Sequence, residues 1–368
     1  LGIALVNWAA TKVMSPQALP CLDFSGGIPI DARTIVVVPS MLGSQAAIDA
    51  LVEALEVRFL ANRDPNLQFA LLTDFLDADD ETLPTDTSLV THAAQRIDVL
   101  NDLYAPDLRD RFFLLHRPRL WNVREGKWLG YERKRGKLEA LNELLRGRGR
   151  ERFMQISGNV DSLMNVQYVI TLDTDTQLPR DAARELAATL AHPLNRARLD
   201  PHRRRVVRGY GILQPTVGAS MSGLQASRYA RMYGSEPGID PYTRMVSDVY
   251  QDLFGEGSFI GKGIYDVDVI VAVLHGRFPE DRVLSHDLLE GCYTRAGLVS
   301  DVRLYESYPS RYAADITRQA RWIRGDWQLL PWMLPWVPRG LHGHEWSPLS
   351  WLSRGKLLDN LRRSLVPV

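Results

Sequence analysis

The sequence predicts an α/β fold: a doubly wound, mostly parallel sheet with flanking helices and membrane-proximal helical ends. Two observations predict it. Short β-branched runs alternate with segments of helical periodicity from residue 33 to residue 192, the pattern of a parallel sheet built from crossover units. Acidic residues also close the runs, at Asp74 and at Asp173/Asp175, beyond the carboxyl ends of strands where ligands of such sheets bind.

Taken in order, "RTIVVVPS" (33–40) is a strand, "SQAAIDALVEALEVRFLAN" a helix and "LQFALLTDF" a second strand ending near Asp74. "TSLVTHAAQRIDVLNDLYA" is the next helix and "RFFLLHR" the next strand. "WNVREGKWLGYERK" reads as a hairpin around Glu125 to Lys127. "GKLEALNELLRG" is a short helix, "QYVITLD" a strand and "RDAARELAATLAH" the helix after it. Further on, "VVRGYGILQP" suggests strands, and "GLQASRYARMYGS" and "YTRMVSDVYQDLF" read as helices. "GEGSFIGKGIYDV" is punctuated by glycines. A helix opens near Ser285 in "LSHDLLEGCYTRAG", "LVSDVRLYES" is a strand, and "AADITRQARWIRGDWQLLPWML" is a long Trp-rich helix.

The composition is that of a folded core: 368 residues, 45% hydrophobic and 24% charged. Basic and acidic residues balance at 44 each, so no global excess argues for nucleic acid. Cys21 and Cys292 form neither a spaced zinc cluster nor a disulfide framework, which favours a reducing compartment. The apolar "LGIALVNWAA" reads as the cut end of a longer chain. At the other end, "WLSRGKLLDNLRRSLVPV" places Trp351, Leu352, Leu357, Leu358, Leu361 and Leu365 near helical spacing, with Arg354, Lys356, Arg362 and Arg363 between them. That pattern suits a helix on an anionic membrane surface, and equally an amphipathic helix docked on a core. The expected partition is a membrane-proximal segment over 1–32, one catalytic domain over 33–337, and an interfacial segment over 338–368.

Three motifs carry chemistry. In "LDTDT", an extended chain turns Asp173 and Asp175 to one side, where they could share Mg²⁺ or Mn²⁺ and a phosphate oxygen; a solvated turn would place the same residues. In "SHDLLEG", Asp287 could serve as a general base or cap its helix, with Glu280 and Asp281 as rival carboxylates. In "RQARWIRGDWQ", Arg321 and Arg324 share a helical face suited to a diphosphate, while Trp322 and Trp327 offer flat faces to a sugar ring; packing on a core or membrane would use the same residues. Lys137, at the start of "GKLEALN", is available to a phosphate or a base edge.

The order of these pieces, Asp74, "GKLEALN", "DTD", "GEGSF", "HD" and "ARW", resembles the processive family 2-like glycosyltransferases, the group containing cellulose synthase. Arg318 stands where that group has the Gln of Q-x-x-R-W, and His286 where a Glu is common before the base. The strings "EDRVLSHDLLEG", "RQARWIRGDWQLLPW" and "LLDNLRRSLVPV" are similar to the glucosyltransferase domain of bacterial cyclic β-1,2-glucan synthases along essentially the whole chain. The resemblance implies a GT-A fold and an enzyme of the bacterial inner membrane, its active site on the cytoplasmic side among membrane lipids. It would use UDP-glucose, Mg²⁺ or Mn²⁺ and a glucan acceptor. Carried over, Asp74 would contact the uracil, Lys137 the nucleotide, and Asp173 and Asp175 the diphosphate and metal. Asp287 would be the base, and Arg321 and Trp322 would line the donor and acceptor site. Tyr104 is the candidate for a protein-linked glucan primer.

An α-linked donor giving a β-glucoside requires inversion, so one carboxylate suffices as base while metal and arginine stabilise the departing UDP. Three alternatives remain open. A cellulose-synthase-like enzyme would differ in sugar or linkage, and a non-catalytic sugar-nucleotide-binding module would need no base. An aspartyl-nucleophile phosphatase also places D-x-D after a strand, but Gln177 and the mid-chain position disfavour it.

Overall fold

The computed structural model describes residues 14, 18–104, 111–234, 249–340, 343–362, 364 and 365. In chain order the strands are β1 (Thr34–Leu42), β2 (Leu67–Phe75), β3 (Phe112–Arg117), β4 (Leu120–Asn122), β5 (Lys127–Leu129), β6 (Gln155–Ser157) and β7 (Tyr168–Thr171). They continue with β8 (Arg198–Asp200), β9 (Arg205–Arg208), β10 (Ile212–Ala219), β11 (Gly263–Asp266), β12 (Ala296–Glu306), β13 (Trp336–Arg339) and β14 (Gly343–Trp346). The helices are α1 (Gln45–Ala61), α2 (Asp86–Tyr104), α3 (Arg133–Leu144), α4 (Ala182–Ala191), α5 (Met221–Gln225) and α6 (Arg228–Tyr233). The rest are α7 (Val249–Phe254), α8 (Val267–Leu274), α9 (His286–Thr294), α10 (Tyr312–Gln328) and α11 (Trp351–Arg362).

Eight strands form the central sheet in the order β12-β10-β11-β7-β1-β2-β3-β6. The pairs β7/β1, β1/β2, β2/β3 and β10/β12 are parallel, whereas β11 and the edge strand β6 run the other way. The mostly parallel, doubly wound α/β architecture read from the sequence is therefore present. Period-two alternation divides each central strand between two cores. Val36, Val38, Phe69, Leu71, Phe112 and Leu114 pack on one face with α1, α2 and α4. Ile35, Val37, Ala70, Leu72, Phe113 and Leu115 pack on the other with α3 and the start of α8. Because both faces are covered, these strands read as continuous apolar runs. Ser44 caps α1, its Oγ accepting from the Ala47 amide at 3.2 Å.

A third core joins α8 and α9 to Trp332, Val337, Leu349 and Leu357. Here the elements are shorter than the periodicity suggested. The segment read as one helix over 223–235 is broken into α5 and α6, because Ser227 starts a new helix by accepting from the Ala230 amide. The long Trp-rich helix stops at Gln328, and Pro331 then shapes a separate 3-10 turn over Leu330–Met333. Of the helix read over 242–254, residues 242–248 lie outside the described residues, and α7 accounts for the remainder.

Described residues near either end pack on the folded body. Phe24, Ile28 and Ala32 are buried in the first core; residues 1–13 and 15–17 lie outside the described residues, as do 363 and 366–368. The pairing of β13 with β14 crosses the expected boundary at 337. Leu357 and Leu361 of α11 are buried, and Lys356 is buried beside Glu256, its Nζ donating to Glu256 Oε1 at 3.0 Å. Thus α11 docks through one face while Trp351 and Leu358 stay exposed. Among the described residues, no helix is long and apolar enough to cross a membrane.

Candidate active site

The topology fixes one edge of the sheet as the site. Asp74 lies at the carboxyl end of β2, Asp173 and Asp175 follow β7, and Glu306 ends β12, which runs the same way. Because β11 is reversed, Lys262, just before it, reaches the same edge. This rim is where an open α/β sheet places its ligands.

Asp74 is buried and fully engaged. Arg117 of β3 donates from Nε to Oδ1 and from Nη2 to Oδ2, both at 2.9 Å, and Lys137 Nζ lies 3.3 Å from Oδ2. Lys137 also donates to the Ser40 carbonyl at the end of β1. Burial lowers the Lys137 pKa, with Asp74 opposing that shift. Gly130 makes the arrangement possible, since a Cβ there would stand 2.1 Å from Asp74 Oδ2. The two residues expected to meet the nucleotide therefore touch each other.

Asp173 faces two ammonium groups: Lys134 Nζ at 2.7 Å from Oδ1 and Lys262 Nζ at 3.3 Å from Oδ2. Burial alone would raise its carboxyl, but the two lysines override burial and hold it at about 2. Lys262 also lies 2.7 Å from Glu306 Oε1, which accepts from Thr176 Oγ1 at 2.7 Å. Asp175 sits on the exposed lip. Partial enclosure in the cleft, then repulsion from Glu306 and Asp173, raise its pKa. Arg58 of α1 holds the loop from below, donating to the carbonyls of Thr174 at 2.8 Å and Thr176 at 3.0 Å. Burial drops the Arg58 pKa to about 10.

Asp287 enters in the first turn of α9, and its carboxylate closes on Gly261, where a Cβ would stand 2.7 Å from Oδ1. Gly261 has φ +91°, a conformation that favours glycine. Its carbonyl accepts from Lys134 Nζ at 2.9 Å, so Lys134 links the Asp287 side of the cleft to Asp173. His286 is buried behind Asp287, its Nδ1 lying 3.0 Å from Glu290 Oε1 and 3.4 Å from Asp287 Oδ1. Burial opposes its charge, yet the two carboxylates outweigh burial and raise its pKa. Of the rival carboxylates, Glu280 accepts from Tyr131 Oη at 2.6 Å, just after β5, and Asp281 accepts from Asn122 Nδ2 of β4 at 2.7 Å.

The helix carrying Arg321 and Trp322 is seated against the start of α9. Gly325 packs on Ser285 so closely that a Cβ would lie 1.9 Å from Ser285 Oγ, and the Leu284 amide donates to Gln328 Oε1 at 2.8 Å. Arg321 stands one turn before Gly325 on that face and is exposed. Trp322 is half-buried under the Arg318 guanidinium, 4.7 Å from its ring centre. Arg318, standing where the resembled pattern has Gln, pairs with buried Asp315 at 2.8 Å.

Tyr104 lies away from this rim. It ends α2 beside Phe112, the first residue of β3, and so lies at the opposite edge of the sheet. Its hydroxyl donates to Glu56.

Could the rim hold a divalent cation? Mg²⁺ and Mn²⁺ need only one or two protein carboxylates beside phosphate oxygens and water. The exposed Asp175 carboxylate, which forms no ion pair among the described residues and is repelled by Glu306 and Asp173, fits that requirement. Among the described residues, His and carboxylate ligand atoms converge within 4.8 Å in two other groups, Glu139/Glu143/His275 and His286/Asp287/Glu290.

Sequence reasoning missed Arg58, Arg117, Lys134, Lys262 and Glu306. Lys134 had a signal, lying one helical turn before Lys137; Lys262 had a weaker one, its two flanking glycines. Glu306 is brought in only by the pairing of β12 with β10.

Over its 368 residues the chain is 48% identical to the cyclic beta-(1,2)-glucan synthase NdvB of Rhizobium meliloti (strain 1021), a match covering 100% of this chain and 13% of that protein. No protein-family model matches. A solved galactosyltransferase, LgtC in complex with donor and acceptor sugar analogues, aligns at 12% identity over 72% of each chain. Its TM-score of 0.29 is too low to carry an argument. The chain is thus similar, along its whole length, to one segment of a cyclic β-(1,2)-glucan synthase, the resemblance that its motifs carry.

Proposed function

We propose that this chain is the inverting, metal-dependent glucosyltransferase unit of a longer glucan synthase, a GT-A-type domain that moves glucose from UDP-glucose to a growing β-1,2-glucan. One observation carries the reading: Asp74 and Asp173, far apart in sequence, lie at the carboxyl edge of one sheet, and Lys134 ties Asp173 to Gly261, on which Asp287 packs; uracil, diphosphate and base are the roles we assign to the three.

In this reading Asp74 and Lys137 receive the nucleotide, and Arg117 orients the Asp74 carboxylate. Asp173 and Asp175 would hold Mg²⁺ or Mn²⁺ beside the diphosphate. A bound divalent cation supplies charge stabilisation to the departing UDP. Asp287 takes the proton of the acceptor 2-hydroxyl as that oxygen attacks the anomeric carbon from the face opposite UDP, with inversion. His286 and Glu290 fix the side of α9 from which Asp287 works. Arg321 adds a permanent positive charge to the leaving-group side, and Trp322 offers a ring face to the sugar.

The same proposal places residues 33–337 on the cytoplasmic side of a bacterial inner membrane, with 1–32 and 338–368 nearest the lipid. Trp336, Trp346 and Trp351, exposed by 56%, 70% and 85%, with Arg339 and Arg354 nearby, support a lipid-facing surface there.

The test is Asp287→Asn in the full-length, membrane-embedded protein. Glucose transfer should fall by about 10²- to 10⁴-fold while UDP-glucose binding is retained. Equal loss of binding and transfer would contradict the base role.

A further inference from the structure

Lys262 is the least expected member of the rim. Its side chain is only 13% exposed, and its ammonium sits between Asp173 Oδ2 at 3.3 Å and Glu306 Oε1 at 2.7 Å. The other Asp173 oxygen is held by Lys134 at 2.7 Å, so both oxygens of this supposed metal carboxylate already face a cation. The backbone around Lys262 leaves little freedom. Gly261 has φ +91° and is pressed against Asp287; Gly263 has φ +153°, and a Cβ there would stand 2.1 Å from the Leu213 carbonyl oxygen. The lysine is fixed at the rim between two glycines that only glycine suits.

We infer that Lys262 is a resident counter-ion that makes uptake of a divalent cation depend on the diphosphate of a nucleotide. This rests on the donor-binding reading above and goes beyond it. The argument is one of charge. Asp173, Asp175, Glu306 and Asp287 bring four negative charges and Lys134, Lys262 and Arg58 bring three positive ones, leaving this cluster one negative. A divalent cation alone would reverse that sign beside two fixed ammonium groups. A diphosphate arriving with it restores a net negative rim and offers Lys262 a new anionic partner in place of Asp173. The two ligands therefore favour each other, and linkage requires the effect to be mutual.

The experiment is calorimetric titration of MnCl₂ into the wild type, Lys262→Met and Lys262→Arg, each with and without saturating UDP. Circular dichroism confirms that each variant is folded. In the wild type, UDP should tighten Mn²⁺ binding by about 10- to 100-fold. Lys262→Met should bind Mn²⁺ alone about tenfold more tightly than the wild type, shrinking the dependence on UDP to a few-fold, as expected when a competing charge is removed. Lys262→Arg, which keeps the charge, should behave as the wild type. If UDP-linked Mn²⁺ binding is present but unchanged in Lys262→Met, the role of Lys262 is overturned and the donor-site reading stands. If the wild type binds neither Mn²⁺ nor UDP, both fall together.

Discussion

Arg117 grips Asp74 with both arms of its guanidinium, Nε to Oδ1 and Nη2 to Oδ2 at 2.9 Å each, in a part of the sheet where both side chains are at least 95% buried. A planar fork against a carboxylate is the geometry that makes such a pair directional. Removing Arg117 leaves the Asp74 carboxylate buried with Lys137, 3.3 Å away, as its remaining cation, so the cost stays at the low end, about 3 kcal/mol. Arg117→Met should therefore lower unfolding free energy by that amount, measured by urea denaturation. Uridine nucleotide binding should weaken in parallel, because Asp74 is then free to turn toward Lys137.

Gly130 tests the same pair without touching a charge. Gly130→Ala puts a methyl within 2.1 Å of Asp74 Oδ2 and must displace either the carboxylate or the β5–α3 loop. The expected result is a loss of about 1–3 kcal/mol in stability, together with weaker binding of UDP.

The contact between Gly325 and Ser285 couples the Arg321 helix to α9, which carries Asp287. Gly325→Ala should destabilise the protein by about 1–3 kcal/mol through overpacking, because the new methyl would lie 1.9 Å from Ser285 Oγ. Adding Ser285→Gly removes that hydroxymethyl and should recover most of the loss. Equal stability of the single and double variants, read from thermal melts, would show that α10 and α9 are not seated as described.

His116 supplies a pH dependence. Its ring is buried against Phe75, its Nδ1 bonds Thr73 Oγ1 at 2.8 Å, and burial lowers its pKa from 6.5 to about 4. The unfolded chain takes up this proton first as pH falls, so the stabilisation is complete above about pH 6.5 and is lost progressively down to about pH 4. The full loss is about 3 kcal/mol. Melting temperature followed between these limits should fall less steeply in His116→Gln than in the wild type.

Much of the fold was legible because the central strands are covered on both faces. Runs such as Ile35 to Val38 and Phe69 to Leu72 leave no polar alternation to mistake for a helix. The strand-end aspartates were legible for the same reason: once a parallel sheet is inferred, the carboxyl ends of its strands must share one rim. What the sequence hid depends on pairings between distant segments. Nothing in "GEGSFIGKG" tells that β11 runs backwards and so delivers Lys262 to that rim. Nor does "LVSDVRLYES" tell that Glu306 will lie beside it. The place of Tyr104 was likewise hidden: its helix runs antiparallel to the strands, which carries its end to the far edge. The amphipathic C-terminal helix was ambiguous in a way periodicity alone could not resolve. Its Leu357 and Leu361 dock on the core while Trp351 and Leu358 remain outside.

The most direct test of the central claim is calorimetric titration of UDP-glucose, with and without Mn²⁺, into the wild type and into the Asp173→Asn/Asp175→Asn double variant. Metal-dependent binding by the wild type that disappears in the double variant is the predicted result. Binding that is indifferent to both the metal and the two aspartates would contradict it.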